Sequence, residues 1–186
     1  DIYVGTGCSF EGADGTGGSG AIGAGVYKST DGGTTFTLLS STEPTPNTAE
    51  IDWSVVNSIA FDPNNASEVY AASRRGLLRS TNAGATWEHV IVNTLGNPVG
   101  KIAQDILVTN SGRVIVSLDG SIWVSENGDK DSFTKISSTG SPIGDRTEIA
   151  MSTLSSDTVY ALTESGGQLV GLFRSINKGT DWELVQ

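Results

Sequence analysis

A short phrase recurs four times along the 186-residue chain, and it constrains the fold more than any other feature. KSTDGGTTF returns as RSTNAGATW and RSINKGTDW, with a looser copy, VSENGDKDSF, between them. The serines that open the copies are separated by 51, 45 and 50 residues. Self-similarity at this period is typical of solenoids and of propeller blades.

The residues between the copies favour the propeller. Each copy begins at the end of one β-rich run and closes on another, and a third run precedes it: residues 1–6, 68–73, 113–118 and 158–163. Three copies also have an earlier run, at residues 57–63, 103–109 and 147–153. Four short strands per repeat is the pattern of a propeller blade, and we name the strands A to D in chain order.

The predicted fold class is therefore all-β, a partial β-propeller with four-stranded antiparallel blades. About three and a half blades are present, because the first repeat begins on its B strand. We divide the chain into a partial blade 1 (1–41), blade 2 (57–91), blade 3 (103–137) and blade 4 (147–186). A closed propeller needs about four to eight blades, so the remaining ones belong to a longer parent chain or two copies meet, and we favour the parent.

The repeated phrase suits a turn between strands C and D. Asp or Asn accepts backbone N–H bonds, Gly supplies positive φ, Ser and Thr tie the turn, and the aromatic returns the chain into the blade. We assign these residues structural roles and expect the four aromatics to be mostly buried. They are Ser29, Asp31, Gly33, Phe36, Ser80, Asn82, Gly84, Trp87, Ser125, Asn127, Phe133, Ser175, Asn177, Gly179 and Trp182.

This pattern resembles the Asp-box, or BNR repeat, of sialidases, sortilin-type receptors and xyloglucanase-type glycoside hydrolases. The layout is also similar to secreted propellers of Bacteroidetes-type bacteria, in which a line like IYVGTG precedes GVYKSTDGG. The resemblance implies a secreted or cell-surface protein. In these families the box is a turn on the rim and not a catalytic site. We refer to the four phrases as boxes.

The charge and composition of the chain limit the classes of partner and ligand that we expect. The formal net charge is −10, and an acidic surface repels phosphate backbones and anionic lipid, so we expect neither nucleic acid binding nor membrane insertion. Gly15, Gly17 and Gly20 have a dinucleotide-like spacing, but a strand-like segment follows where a helix is required. No metal-ligand spacing stands out. We therefore predict no cofactor and no metal.

Strand alternation predicts where a ligand binds. The boxes and the A–B turns lie at one end of the blades, whereas the long B–C and D–A connections lie at the other end, the loop face. Long loops on a rigid scaffold commonly carry binding residues. The candidate ligand-binding residues on the loop face are Phe10, Glu50, Asp52, Trp53, Arg74 and Arg75.

Two classes of function remain open. The first is a non-catalytic extracellular module of a larger protein that binds protein or glycan, or acts as a scaffold. The alternative is a fragment of a xyloglucanase-like or sialidase-like glycoside hydrolase, which needs two carboxylates flanking the bond. Ala21 stands where the xyloglucanase resemblance implies an acid, and the Arg-Ile-Pro segment typical of sialidases is missing. We favour the non-catalytic module, with no catalytic residues, and we assign His89 to the blade surface.

Overall fold

Four antiparallel sheets follow one another along the chain in a computed structural model that describes residues 1–7, 22–44, 52–155 and 157–185. Blade 1 contains β1 (Ile2–Gly5), β2 (Val26–Ser29) and β3 (Thr37–Leu38). Blade 2 contains β4 (Val56–Asp62), β5 (Asn65–Ser73), β6 (Gly76–Ser80) and β7 (Glu88–His89). Blade 3 contains β8 (Ala103–Val108), β9 (Val114–Leu118), β10 (Ser121–Ser125) and β11 (Thr134–Lys135). Blade 4 contains β12 (Arg146–Met151), β13 (Val159–Ser165), β14 (Gln168–Ser175) and β15 (Glu183–Leu184).

The predicted fold class is confirmed. Within the described residues, each sheet pairs its strands in chain order, with three strands in blade 1 and four in each of the others. Two short 3₁₀-helices, Ser40–Thr42 and Asp52–Ser54, lie in the connection from blade 1 to blade 2. The architecture is a partial propeller, whose first sheet begins on the strand that the sequence analysis named B.

The hydrophobic core lies between blades. One cluster joins blades 1 and 2 through Tyr3, Val26, Val56, Val69 and Ala71. A second joins blades 2 and 3, and a third joins blades 3 and 4. The A strands β4, β8 and β12 contact one another in sequence, so they form the inner side of the array. Blade-to-blade packing therefore supplies the apolar burial that a single four-stranded sheet lacks.

Burial along the B strands shows this directly. All five residues of β9 are buried, because blade 3 has a neighbouring blade on each of its faces. Strand β13 instead alternates between buried and exposed residues over Val159–Leu162. Its buried residues face blade 3, and its exposed residues lie on the opposite face of blade 4, as the two-residue period of a strand requires.

The expectation that all four box aromatics are mostly buried is wrong for Phe36. Trp182 is 6% exposed, Trp87 and Phe133 are partly buried, and Phe36 is 43% exposed. The aromatic of each later box packs against the blade that precedes it in the chain. No described blade precedes Phe36, so its ring lacks the surface that covers the other three.

Candidate functional site

Among the described residues, the loop face is formed by the B–C turns of blades 2 to 4 together with the D–A connections. The N–H of Asp119, in the B–C turn of blade 3, donates to the carbonyl of Ile102 in the preceding connection at 2.9 Å. In blade 4 the direction is reversed, because the N–H of Asp145, in the connection, donates to the carbonyl of Glu164 near the end of β13 at 2.8 Å. These bonds fix the connections against the sheet ends, so side chains on the loop face have a rigid support.

The structure brings three polar side chains together on this face. Asp52 Oδ2 lies 3.0 Å from His89 Nε2, and Asp52 Oδ1 lies 3.8 Å from Arg75 Nε. The side chains of Asp52 and His89 are each 16% exposed. At 3.8 Å the guanidinium attracts the carboxylate without forming a hydrogen bond. Among the described residues, Asp52 Oδ1 and His89 Nδ1 are buried and have no hydrogen-bond partner.

The backbone of blade 2 positions these groups. Arg75 lies in the turn between β5 and β6, where its N–H donates to Ser73 Oγ at 3.2 Å. Ser73 Oγ donates in turn to the carbonyl of Gly76 at 3.0 Å. Gly76 has a φ of 128°, which non-glycine residues rarely adopt. Arg74 is exposed at the tip of this turn, next to the half-buried Arg75.

The candidate ligand anchor Trp53 packs against a box aromatic. The rings of Trp53 and Trp87 are 5.1 Å apart and inclined by 63°, an edge-to-face arrangement, and Trp87 Nε1 donates to the carbonyl of Gly84 at 3.1 Å. Both indoles adjoin the core between blades 1 and 2, and Trp53 is partly buried there. Trp53 therefore fixes the 3₁₀-helix Asp52–Ser54 to blade 2 and presents only part of its ring to solvent.

Sequence reasoning groups some of these residues and misses one. Asp52, Trp53, Arg74 and Arg75 were placed on one face by strand alternation, whereas Phe10 and Glu50 lie outside the described residues. His89 was assigned to the blade surface, but it is largely buried and bonded to Asp52. The two residues are 37 positions apart, so only the packing of the connection onto β7 reveals the pair.

Other acidic groups on the loop face are also engaged. Asp119 pairs with Lys101 at 2.9 Å. Asp145 accepts from the N–H of Gly166 at 2.9 Å and from the hydroxyl of Ser165 at 2.8 Å, and these bonds lower the pKa of its carboxyl. Hydrogen bonds to the charged form stabilise it, so Asp145 is a poor proton donor.

The boxes lie at the opposite end of the blades and share one set of hydrogen bonds. In the first box, the N–H of Gly33 donates to Ser29 Oγ at 2.9 Å, and the N–H of Thr35 donates to Asp31 Oδ1 at 3.0 Å. Ser80 with Asn82 and Ser175 with Asn177 form the equivalent bonds. Donation from Thr35 and Ser29 holds the pKa of the Asp31 carboxyl well below its usual range.

The third box departs from this pattern. Ser125 Oγ accepts from the N–H of Gly128, three residues on rather than four, at 2.8 Å. Asn127 Nδ2 donates to Asp129 Oδ2 at 2.6 Å, and Ser132 pairs with the Ser125 hydroxyl at 2.5 Å. The additional residue before Phe133 is thus accommodated without loss of the serine-centred turn.

A shallow pocket of about 230 Å³ also lies away from the loop face. It is lined by Asp1, Tyr3, Phe61, Asp62, Pro63 and Ala66. These residues belong to the start of β1 and to the A–B turn of blade 2. The pocket is a packing gap between blades 1 and 2, where the Tyr3 and Phe61 rings are 5.2 Å apart.

Two chemical features are missing from the part of the chain that the structure describes. It has no group of three or more His, Cys, Asp or Glu side chains placed to hold a metal ion. None of its helices has the length and apolar character needed to cross a membrane.

Solved structures with the same fold include glycoside hydrolases. An ancestral GH74 enzyme matches with a TM-score of 0.65 and 20% identity over 88% of this chain and 22% of its own. The GH74 xyloglucanase from Xanthomonas campestris matches with a TM-score of 0.65 and 19% identity, over 88% of this chain and 27% of its own. The extracellular domain of a one-component system of B. thetaiotaomicron matches with a TM-score of 0.59 and 11% identity, over 89% and 20%.

The fold is that of a partial β-propeller. These identities establish the fold alone, and this chain spans about a quarter of the length of the solved chains that it matches. No family model matches the sequence, and no curated protein does either.

Proposed function

We propose that the chain is a non-catalytic extracellular or cell-surface β-propeller module of a larger protein, and that it binds protein or carbohydrate through its loop face. The fold likeness to the extracellular domain from B. thetaiotaomicron supports the location. The net charge of −10 argues against nucleic acid and anionic lipid as partners. The remaining blades or domains of the longer chain are the permanent partners of this segment.

The observation that carries the proposal is the engagement of Asp52. A glycosidase needs two carboxyl groups that reach the scissile bond, one of them able to give or take a proton there. Asp52 is instead bonded to His89, lies near Arg75 and has little exposed surface. An acid held in this way stabilises the loop and orients Arg75.

The same arrangement suits recognition. Arg74 and Arg75 present guanidinium groups, which donate up to five N–H bonds in a fixed plane and bind hydroxyl-rich or acidic ligands. The partly exposed ring of Trp53 offers a stacking surface beside them. Glu50 and Phe10, which lie outside the described residues, complete the proposed ligand-binding set.

The test is a panel of sialosides, β-glucans and extracellular glycoproteins, with hydrolysis and binding both measured. We expect binding without hydrolysis, and we expect Arg74→Ala to weaken that binding at least about tenfold, as loss of a charged contact does. Lys130→Ala is the matched control, because Lys130 is an exposed cation on the opposite, box-bearing end. Equal weakening by both variants would indicate a nonspecific charge effect.

The glycoside hydrolase alternative rests on the GH74 fold likeness. It predicts turnover of a β-glucan that disappears in Glu50→Ala or Asp52→Ala. Turnover that persists in either variant at the wild-type rate would remove that carboxylate from the chemistry.

A further inference from the structure

One B-strand position makes the same contact in every blade that has a following neighbour. It is the residue paired with the one before each box serine, and it is Tyr3, Tyr70, Ile115 and Tyr160 in blades 1 to 4. We call this the interface position. The residue paired with it is Lys28, Arg79, Val124 and Arg174 in the same order.

In the first three blades, the interface residue packs onto the box glycine of the next blade. Tyr3 Oη donates to the carbonyl of Ala83 at 3.0 Å, beside Gly84. The hydroxyl end of Tyr70 occupies the space where a Cβ on Gly128 would stand, so any other residue there would overlap it. Ile115 Cδ1 lies 3.3 Å from the place of a Cβ on Gly179.

Two separate constraints therefore require glycine at each of these positions. The φ values of Gly84, Gly128 and Gly179 are 88°, 67° and 81°, in the left-handed region that other residues rarely adopt. Their missing Cβ also leaves the hollow that the preceding blade fills.

Where the interface residue in the first three blades is a tyrosine, a cationic side chain lies over its ring. Arg79 lies 5.9 Å from the centre of the Tyr70 ring, and its Nη1 lies 2.7 Å from Oδ1 of Asp129, which follows Gly128 in the third box. Lys28 stacks on Tyr3 in the same way, at 5.0 Å. The blade 2 to blade 3 interface thus combines the hydroxyl end of a tyrosine in a glycine hollow with a cation–carboxylate pair across the blades.

Blade 4 carries the same pair of residue types, and no other blade among the described residues packs on its outer face. Tyr160 is 36% exposed and Leu162, on the same face, is 48% exposed. Arg174 Nε donates to Glu183 Oε1 on its own sheet at 2.8 Å. The pair of Tyr160 and Arg174 matches Tyr70 and Arg79 in residue type and register, whereas blade 3 has Ile115 and Val124 instead.

The geometry points to the outer face of blade 4 as a docking surface for the box turn of a further blade of the same polypeptide. That turn has glycine at the hollow and a carboxylate beside it that pairs with Arg174, as Gly128 and Asp129 do for blade 2. The inference rests on the proposed role as part of a longer propeller, and it specifies the chemistry of the blade that follows. The neighbour of blade 4 should therefore resemble blade 3, whose box carries Gly128 followed by Asp129.

The test appends such a neighbour to the 186-residue chain. A second copy of residues 90–137, which contain the connection to blade 3 and blade 3 itself, is appended after Gln186. We expect the thermal midpoint to rise by several degrees and amide exchange in β14 and β15 to slow by roughly tenfold. Tyr160→Ala in the extended chain should abolish both gains, while Leu154→Ala, at an exposed leucine outside this face, should preserve them.

Three outcomes would overturn the inference. One is an appended blade that leaves exchange in β14 and β15 unchanged, and another is a gain in stability that Tyr160→Ala does not reduce. The third is a concentration-dependent dimer of the unextended chain that Tyr160→Ala dissolves, which would make a second copy the occupant. None of these measurements involves a glycan or protein ligand of the loop face. A failure of this inference can therefore be distinguished from a failure of the loop-face proposal.

Discussion

Blades 3 and 4 are built from the same repeat, yet their B strands are buried differently. Every residue of β9 is buried between two blades, whereas β13 buries one face and exposes the other. The boxes at the two ends of the array also differ: Phe36 in blade 1 is exposed and Trp182 in blade 4 is buried, although both follow the same turn. Local sequence therefore sets the turn and the register, while the adjacent blade sets how much each side chain contributes to stability.

Truncation of the box aromatics should give the largest difference in the free energy of unfolding between the two ends of the array. Trp182→Ala should lower the free energy of unfolding by about 3–5 kcal/mol, because a buried indole leaves a cavity. Phe36→Ala should cost about 1 kcal/mol or less, since its ring is half exposed. Denaturant titration of both variants measures the difference. Similar losses would mean that Phe36 is covered in solution by a surface outside the described chain.

The interface position offers a second pair with a somewhat smaller effect. Ile115→Ala should cost about 2–5 kcal/mol, since the isoleucine is fully buried against the box of blade 4. Tyr160→Ala, at the equivalent place in blade 4, should change the unfolding free energy of the chain by about 0.5 kcal/mol. Chemical denaturation under the same buffer conditions gives both values. A large loss from Tyr160→Ala in a monomeric chain would contradict the open face of blade 4.

The stability that a box serine contributes should not depend on the blade in which it lies. Ser29 and Ser175 are each 1% exposed and bind the N–H four residues on. Each Ser→Ala change leaves that donor unpaired at a buried serine site and should cost about 1–3 kcal/mol at both ends of the array. Thermal unfolding of the two variants tests whether the turns are equivalent. A loss at Ser175 several times that at Ser29 would show that blade packing, not the turn, dominates.

The smallest predicted effect is on the stability of the first box at low pH. The pKa of Asp31 is lowered in the folded chain, so its hydrogen bonds contribute fully above the unfolded pKa of about 3.9 and are lost as the pH falls through the lower folded value. Asp31→Asn keeps an acceptor for Thr35, as Asn82 does for Thr86. The variant should therefore lose less stability than the wild type below about pH 4 and match it closely near neutrality. Thermal midpoints measured across pH 2–7 test this, and parallel curves would show that Asp31 does not contribute.

The sequence predicted what local chemistry determines. Serine, Asn or Asp, glycine and an aromatic at fixed spacing specify a turn and the strands on either side, so the blades and their order could be inferred from the repeat. It did not predict the exposure of Phe36, because that depends on a neighbour and not on the box. It also missed the pairing of His89 with Asp52, which arises only when the connection after blade 1 folds back onto β7.

The short outermost strands have a consequence for the protein in a crowded environment. In each blade the D strand, β3, β7, β11 or β15, is only two residues long. A strand of that length presents too few unpaired N–H and C=O groups to template the addition of another chain. The rim of the array is therefore resistant to edge-to-edge association, and high local concentrations should not drive these blades into cross-β fibrils.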